Sequence, residues 1–272
     1  MRLHFKNRYG VQVARTPTHI YLLPHPALRD VVAHYTLCLP GPGAADAGAL
    51  DLIPDASGCL VYTLLPGGVL DGRMYGPTTK VVTVEADFES CPFRFFVEFR
   101  PGGLSSFTPI PQHELADKVC LLEDAAPPLL ALVRAHFGRE ADLDEFVRVV
   151  DLRLAALHTG PAPILPMLRH LAGHFAPASA ADLAADAGYS QRHLSRLFRE
   201  GSGLSAKAFS RVLRINEAVR RLPAAPSLTA LAQDLGYYDQ PHFIHDFRAV
   251  CGVPPSAYLE RMAGFYNEPL KF

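Results

Sequence analysis

The most informative stretch of the chain is GYYDQPHFIHDF, residues 236–247. Its glycine gives the backbone the freedom to leave a helix, and Asp239 is a residue type that caps the start of the next one. Pro241 falls in the first turn of that second helix, where its missing N–H costs little. Phe243 and Phe247 are four residues apart and therefore share one face. The stretch predicts the turn and second helix of a helix-turn-helix unit.

The same pattern occurs a second time upstream. Residues 179–189, SAADLAADAGY, align with residues 227–237, SLTALAQDLGY, at an offset of 48. After one inserted residue the match continues at an offset of 49, through Leu194 and Phe243, Phe198 and Phe247, and Gly203 and Gly252. Self-similarity of this kind indicates a repeated supersecondary unit. It predicts two helix-turn-helix units, at about 179–200 and about 227–250.

Each helix of the earlier copy has a start signal. Ser179 and Ser190 are the predicted N-caps, and Asp182 supplies an acid in the first turn, where the helix dipole favours it. Between the two units, residues 205–222 are long enough for one linker helix of about 27 Å at 1.5 Å per residue. Two recognition helices that enter successive major-groove faces lie about 34 Å apart. The length of the predicted linker helix is consistent with that spacing.

These motifs resemble the DNA-binding domain of the AraC/XylS family of bacterial transcription regulators. The matching segments are SQRHLSRLF at 190–198, RVLRINEA at 211–218, GYYDQPHFIHDF at 236–247 and GVPPSAY at 252–258. The resemblance implies a regulator that controls transcription by placing two helix-turn-helix units in successive major grooves of double-stranded DNA. It implies no catalytic residue, cofactor or metal. It allows RNA polymerase, a small-molecule effector and a homodimer partner as further contacts.

The resemblance also implies which side chains contact DNA, because exposed residues early in each second helix reach base edges. In the first unit these are Gln191, Arg192, Ser195 and Arg196. In the second unit the corresponding residues are Gln240, Pro241, Ile244 and His245. Arginine can donate to guanine O6 and N7 through two bonds at once, whereas proline and isoleucine offer only apolar contact. We therefore expect the first unit to contribute more to sequence specificity than the second.

The N-terminal half has a different pattern. Short β-branched or aromatic runs, LVYTLL at 60–65, VVTV at 81–84 and FRFFVEF at 93–99, are separated by glycine and proline, which predicts strands. Asp71-Gly72 is interpreted as one of the turns. Apolar residues at 28, 31, 32 and 35 have helical spacing, and so do those of residues 127–158. Leu143, Phe146, Val150 and Leu154 form a stripe that could cap the β-domain or pair two subunits.

The fold class predicted for the whole chain is α+β. A mainly β domain, which is a barrel or a sandwich and could be cupin-like, extends to about residue 125 and is completed by helices 127–158. An all-α domain of two helix-turn-helix units follows. The predicted boundary separates residues 1–159 from 160–272, and it coincides with a change of net charge from −4 to +3.

Three N-terminal segments resemble an uncharacterised domain found on some of these regulators. They are PHPAL at 24–28, IPD at 53–55 and FRPGG at 99–103. The resemblance implies no particular ligand, so the domain is interpreted as sensory or as a dimerisation domain. Arg100 at a strand end could pair with an anionic effector or form a structural salt bridge.

Composition excludes other classes of protein. Five cysteines without CxxC spacing argue against a disulfide framework, and no run approaches a membrane span, so we expect reduced thiols and a cytoplasmic location. No nucleophile elbow, phosphate loop or zinc-protease motif is present, so we expect no enzyme activity. A DNA-associated enzyme or repair protein, and an interaction module that no longer binds DNA, are the alternative hypotheses.

Overall fold

The computed structural model describes residues 3–4, 13–15, 19–38, 49–85, 93–134, 141–160, 162–173, 180–260 and 265–266. The strands are β1 Leu3–His4, β2 Val13–Arg15, β3 His19–Leu22, β4 Val32–Cys38, β5 Ala49–Leu52, β6 Cys59–Leu64, β7 Leu70–Tyr75, β8 Val82–Glu85, β9 Phe93–Phe99, β10 Val119–Leu121, β11 Ala141–Asp142 and β12 Phe265–Tyr266. The helices are α1 Gln112–Leu115, α2 Leu122–Ala125, α3 Pro127–Arg134, α4 Leu143–Leu157, α5 Leu165–Gly173, α6 Ala180–Asp186, α7 Gln191–Ser202, α8 Ala206–Arg221, α9 Leu228–Asp234, α10 Gln240–Cys251 and α11 Pro255–Glu260.

The N-terminal half is built on an antiparallel sheet. Seven strands follow the order β10-β7-β6-β9-β4-β3-β2, so that β10 and β2 are its edges within the described residues. A second sheet has the order β12-β5-β8, and β1 pairs with β11. The three strands predicted from aromatic and β-branched runs are present as β6, β8 and β9. The predicted fold class, a mainly β N-terminal region followed by a helical C-terminal one, is confirmed.

One predicted helix is wrong. Residues 26–35 contain only a 3₁₀ turn, Pro26–Leu28, before strand β4 begins at Val32. Every residue of β4 is buried, and the strand pairs with β3 and β9 inside the sheet. A strand buried on both faces has apolar residues on both sides, so helical spacing can be found in it by coincidence.

The predicted turn at Asp71-Gly72 is also wrong, because both residues lie inside β7. The turn of this hairpin is at Pro66–Gly68, where Gly67 and Gly68 have φ of +81° and +78°. A glycine is needed at position 72 because a side chain would not fit there, and not because the backbone has a left-handed conformation. A Cβ at Gly72 would lie 2.5 Å from Leu130 Cδ1 of α3, so the absence of a side chain lets the helix approach the strand.

Helices α3 and α4 cover the sheet as the sequence predicted. Phe146, Val150 and Leu154 of α4 are buried in the same apolar cluster as Phe95 of β9. Leu143 is in the helix, but its side chain is outside the described part. The stripe therefore caps the β-domain, and its buried residues are not available to pair two subunits.

Arg100 has a structural contact that differs from both expected ones. Its Nε donates a hydrogen bond to the carbonyl oxygen of Arg29 at 2.7 Å. The bond ties the end of β9 to the 3₁₀ turn before β4. Cys38 and Cys251 are buried, as expected for core residues, whereas Cys59 and Cys120 are partly buried, and none of these four described cysteines forms a disulfide. Burial raises the pKa of the Cys38 thiol to about 11 and that of Cys251 to about 12, so both stay protonated.

The described apolar residues form three buried clusters. The first lies between the large sheet and helices α2 to α4, the second joins α5 to α8, and the third joins α8 to α11. Leu165 belongs to the first cluster although it follows the predicted boundary at 159/160. The boundary itself stays a prediction. Among the described helices, none is both long and apolar enough to cross a bilayer.

Asp151 of α4 gives the N-terminal domain a pH-dependent contact. Its Oδ1 accepts hydrogen bonds from the Tyr35 hydroxyl at 2.8 Å and the His25 backbone N–H at 3.0 Å. Burial raises the pKa of Asp151, and these bonds and the charges of His25 and Arg29 only partly oppose that shift. A carboxyl with a raised folded-state pKa stabilises the fold below its unfolded pKa and loses that contribution as pH rises through the folded pKa.

We therefore expect Asp151→Asn, which keeps the accepting oxygen, to gain stability relative to the natural chain as pH rises from about 3.9, the pKa of an unperturbed Asp, to about 7. Urea unfolding of both proteins at the two pH values measures the difference. Asp30→Asn, at an exposed residue paired with Arg169, is the matched control. A difference between Asp151→Asn and the natural chain that does not change with pH would contradict the prediction.

Candidate nucleic-acid interface

The first helix-turn-helix unit consists of α6 and α7. Ser190 Oγ accepts a hydrogen bond from the His193 N–H at 3.2 Å, which confirms the predicted cap of α7. The turn passes through Gly188 at φ +66°, a left-handed conformation that favours glycine. Leu194 and Phe198 are fully buried, so the opposite face of α7 is turned to solvent. The predicted cap at Ser179 lies outside the described residues.

The second unit, α9 and α10, repeats this construction. Ser227 Oγ accepts from the Ala230 N–H at 3.1 Å, and Asp239 Oδ1 accepts from the His242 N–H at 2.8 Å. Phe243 and Phe247 are completely buried, as the aligned residues of α7 are. In both units a short polar side chain therefore caps the second helix. In both, two apolar residues four positions apart form its buried face.

Helix α8 joins the two units and belongs to both cores. It spans 16 residues, which is about 24 Å at 1.5 Å per residue. Phe209, Val212 and Leu213 pack in the cluster of the first unit, whereas Ile215 and Ala218 pack in that of the second. The predicted linker helix is therefore present, and the two cores meet near its middle.

The residues expected to contact DNA from the first unit lie on the outer face of α7. Gln191, Arg192, Ser195 and Arg196 are all exposed. The Arg196 side chain is 59% exposed, lies 3.5 Å from Glu200 Oε1 and contacts His193 Nδ1 at 3.3 Å. Exposed ion pairs of this kind contribute little, so the guanidinium can exchange them for a nucleic-acid contact at small cost.

The corresponding residues of the second unit divide into two groups. Pro241 and His245 are exposed, and the His245 side chain retains 79% of its accessible surface. Gln240 is half-buried, and its Oε1 accepts a hydrogen bond from Thr229 Oγ1 at 2.7 Å. Ile244 is partly buried against the second unit's core. The structure therefore brings the four residues onto one helix but leaves only two of them fully open to solvent.

A charge cluster beneath α10 was not predicted. Asp246 is buried, and its carboxylate lies 4.0 Å from a guanidinium nitrogen of Arg211 and of Arg214 on α8. His242 and His245 approach the same carboxylate at 3.9 and 3.8 Å. Among the described residues, no group of three or more His, Cys, Asp or Glu side chains could hold a metal. Arg211 and Arg214, three residues apart on α8, and the single acid of α10 were the sequence signal for this cluster.

Tyr238 is a second feature that sequence reasoning missed. It immediately precedes the cap of α10, and 94% of the residue is exposed. The aligned turn of the first unit is one residue shorter, so Tyr238 is the inserted residue between the two offsets of the repeat. A large side chain with this exposure has no role in the core. The insertion itself was the signal that could have identified it.

Comparison with known proteins agrees with the two resemblances. Residues 183–261 match the family described as "Helix-turn-helix domain", which is of the AraC type. Residues 21–121 match a "Domain of unknown function", DUF6597. Both predicted relationships, the AraC-type C-terminal domain and the uncharacterised N-terminal domain, are confirmed. No curated protein matches the chain.

Several solved structures are similar to parts of the chain. The C-terminal domain of AraT, a response regulator from Geobacillus stearothermophilus, is 23% identical, covers 39% of this chain and 90% of its own, and has a TM-score of 0.34. A DNA-binding transcriptional dual regulator from Escherichia coli K-12 is 24% identical over 38% of this chain and 95% of its own, with a TM-score of 0.34. Unsaturated fatty acid bound ToxT from Vibrio cholerae is 10% identical over 86% of this chain and 98% of its own, with a TM-score of 0.41.

Proposed function

We propose that this chain, in which an AraC-type helix-turn-helix domain follows the domain of unknown function, is a sequence-specific DNA-binding regulator of transcription. The observation that carries the proposal is the pair of capped helices α7 and α10. Both present exposed side chains early in the helix, and both are attached to one continuous helix, α8. Helices held in this way can enter successive major grooves on one side of a duplex.

Base recognition is assigned mainly to α7. Arg192 and Arg196 are one turn apart on its exposed face, and each can donate two hydrogen bonds to a guanine. Ser195 lies between them and can donate or accept at either edge. On α10, Pro241 and His245 offer one apolar and one polar contact. The partial burial of Ile244 and Gln240 supports a smaller share of specificity for the second unit.

Electrostatics supports the same partner. Residues 160–272 carry 12 Lys and Arg against 9 Asp and Glu, although the whole chain has a formal charge of −1. A basic region attached to an acidic one favours phosphate contact on one part of the molecule. Because bound phosphates release counterions, affinity for DNA should fall as salt rises.

The proposal is tested by selection of binding sites from a random duplex library with the full-length chain. We expect enrichment of a site with two half-sites about 10–10.5 base pairs apart, bound more tightly at low salt. Binding of random and enriched DNA is then compared at equal salt. Two controls are needed: the protein must be folded, and a known DNA-binding protein must enrich its own site from the same library. If both hold and no sequence is enriched, the result would contradict the proposed function.

Tyr238 gives a further prediction for the second unit. Its exposed hydroxyl precedes the N-terminus of α10, the end of a recognition helix that approaches DNA. We propose that it donates a hydrogen bond to a phosphate. Tyr238→Phe is expected to weaken binding by about twofold to tenfold on enriched and random DNA alike, because a phosphate contact carries no sequence information.

Titrations of both DNAs with the natural chain and Tyr238→Phe measure this effect. Because Tyr238 is exposed, its replacement should leave the urea midpoint unchanged, and that measurement is the control. Loss on enriched DNA alone would assign Tyr238 to a base edge, and no loss on either DNA would remove it from the interface.

A further inference from the structure

Residues 53–56 of the N-terminal domain, named here the brace segment, contact both helix-turn-helix units. Ile53 packs against the apolar cluster of the second unit, and Ala56 is buried in that of the first. Between them, the Pro54 carbonyl accepts a hydrogen bond from Asn216 Nδ2 of α8 at 3.1 Å. The brace segment thus spans the place on α8 where the two cores meet.

The brace segment is itself fixed to the N-terminal domain. Asp55 Oδ1 accepts hydrogen bonds from the backbone N–H groups of Ser57 and Gly58 at 2.7 and 2.9 Å. Thr78 is bonded to Asp55 twice, since its N–H donates to the Asp55 carbonyl at 2.8 Å and its hydroxyl accepts from the Asp55 N–H at 3.0 Å. A segment held on both sides in this way can resist displacement.

A second contact secures the first unit. A Cβ at Gly102 would lie 2.6 Å from Leu168 Cδ1 of α5, and one at Gly203, the C-cap of α7, would lie 2.8 Å from the Gln112 carbonyl of α1. Backbone approach this close leaves no room for a side chain. The exposed early residues of α7 are not part of this contact. The N-terminal domain therefore holds the far end of the helix and leaves its DNA-facing end open.

Two of the three N-terminal sequence segments thus lie at the contact with the helical domain: IPD at 53–55 and FRPGG at 99–103. We propose that the N-terminal domain of unknown function fixes the separation and orientation of the two helix-turn-helix units, with Asn216 as the positioning residue, and so sets the half-site spacing that the protein accepts. This inference rests on the proposed DNA-binding function.

The physical requirement is strict because DNA is helical. Inserting one base pair between half-sites moves the second by about 3.4 Å and rotates it by about 35°. If α8 alone joined the units, bending or twisting of that helix would absorb part of the change. A contact across the junction of the two cores removes that freedom, so that binding at altered spacing requires breaking it.

The experiment compares the natural chain with Asn216→Ala on three duplexes: the enriched site and the same site with one base pair inserted or removed between half-sites. We expect the preference for the natural spacing to fall by about threefold to tenfold, the range that loss of one hydrogen bond can produce. Gln233→Ala removes an exposed amide from α9 without touching the brace segment and should keep the natural preference. Equal weakening on all three duplexes, or no change, would overturn the proposal.

Amide hydrogen exchange of the full chain without DNA gives a second, independent measurement. Asn216→Ala is expected to raise exchange in α7 and α10 together, because both cores lose their shared contact. Exchange that changes in only one unit, or in neither, would overturn the inference even if DNA is bound. Selection that enriches no sequence would contradict the proposed function, while the exchange result still decides whether the brace segment couples the units.

Discussion

Arg196→Ala is expected to reduce affinity for the enriched DNA site by about fivefold to 150-fold, which corresponds to about 1–3 kcal/mol for one good bidentate base contact. Binding of random DNA should be nearly unchanged, since phosphate contacts dominate that mode. Arg192→Ala is expected to act in the same direction at a different base pair.

The structure excludes a simple stability explanation for such a loss. Arg196 is mostly exposed, and its pairing with Glu200 is a surface ion pair whose removal should cost about 0–1 kcal/mol. Competition titrations with enriched and random DNA, together with urea unfolding of each variant, separate the two effects. Lys118→Ala removes one exposed positive charge from the N-terminal domain and is the control for net charge. Equal losses on both DNAs would reassign Arg196 to the phosphate backbone.

The helix-turn-helix units were predictable because their determinants are local. The capping residues Ser190 and Asp239 each accept a hydrogen bond from the backbone N–H three residues later. The buried aromatic residues of α10 are four residues apart. Helix spacing and capping therefore appear directly in the sequence. The same holds for α8, whose apolar residues are spread over both cores.

The N-terminal errors arise from long-range packing. The residues leading into β4 and those within it have helical spacing because the strand carries buried side chains on both faces. Gly72 resembles a turn residue, although it is a strand residue over which a helix far along the chain packs. The contact of Asn216 with Pro54 joins residues 162 positions apart. No local pattern encodes such a pairing, so the role of the IPD segment could be found only from the fold.

Asp246→Ala is expected to destabilise the helical domain by about 2–3 kcal/mol, at or below the low end of the cost of breaking a buried ion pair. The acid lies in the seam between α8 and α10, where the Arg214 side chain is only 12% exposed and stacks on the Tyr237 ring at 4.4 Å. Removing the acid would leave the guanidinium groups of Arg211 and Arg214, which both lie on α8, without the carboxylate that they approach from that helix. The 4.0 Å separations place the loss at this lower end.

A matched comparison separates burial from charge in this prediction. Asp234→Ala removes an aspartate whose side chain is 58% exposed and is paired with Arg221, so it should cost no more than about 1 kcal/mol. Urea midpoints of the two variants give the difference, and similar losses would contradict a buried role for Asp246. Replacing Asp246 together with its more buried partner, as in Asp246→Leu with Arg214→Met, should recover part of the loss. Only Arg211, whose side chain is 35% exposed, then lacks the carboxylate, and methionine keeps an apolar contact with Tyr237. If the double variant is as unstable as the sum of the single variants, the two side chains do not interact, and the stability of the α8–α10 seam must come from the surrounding apolar core instead.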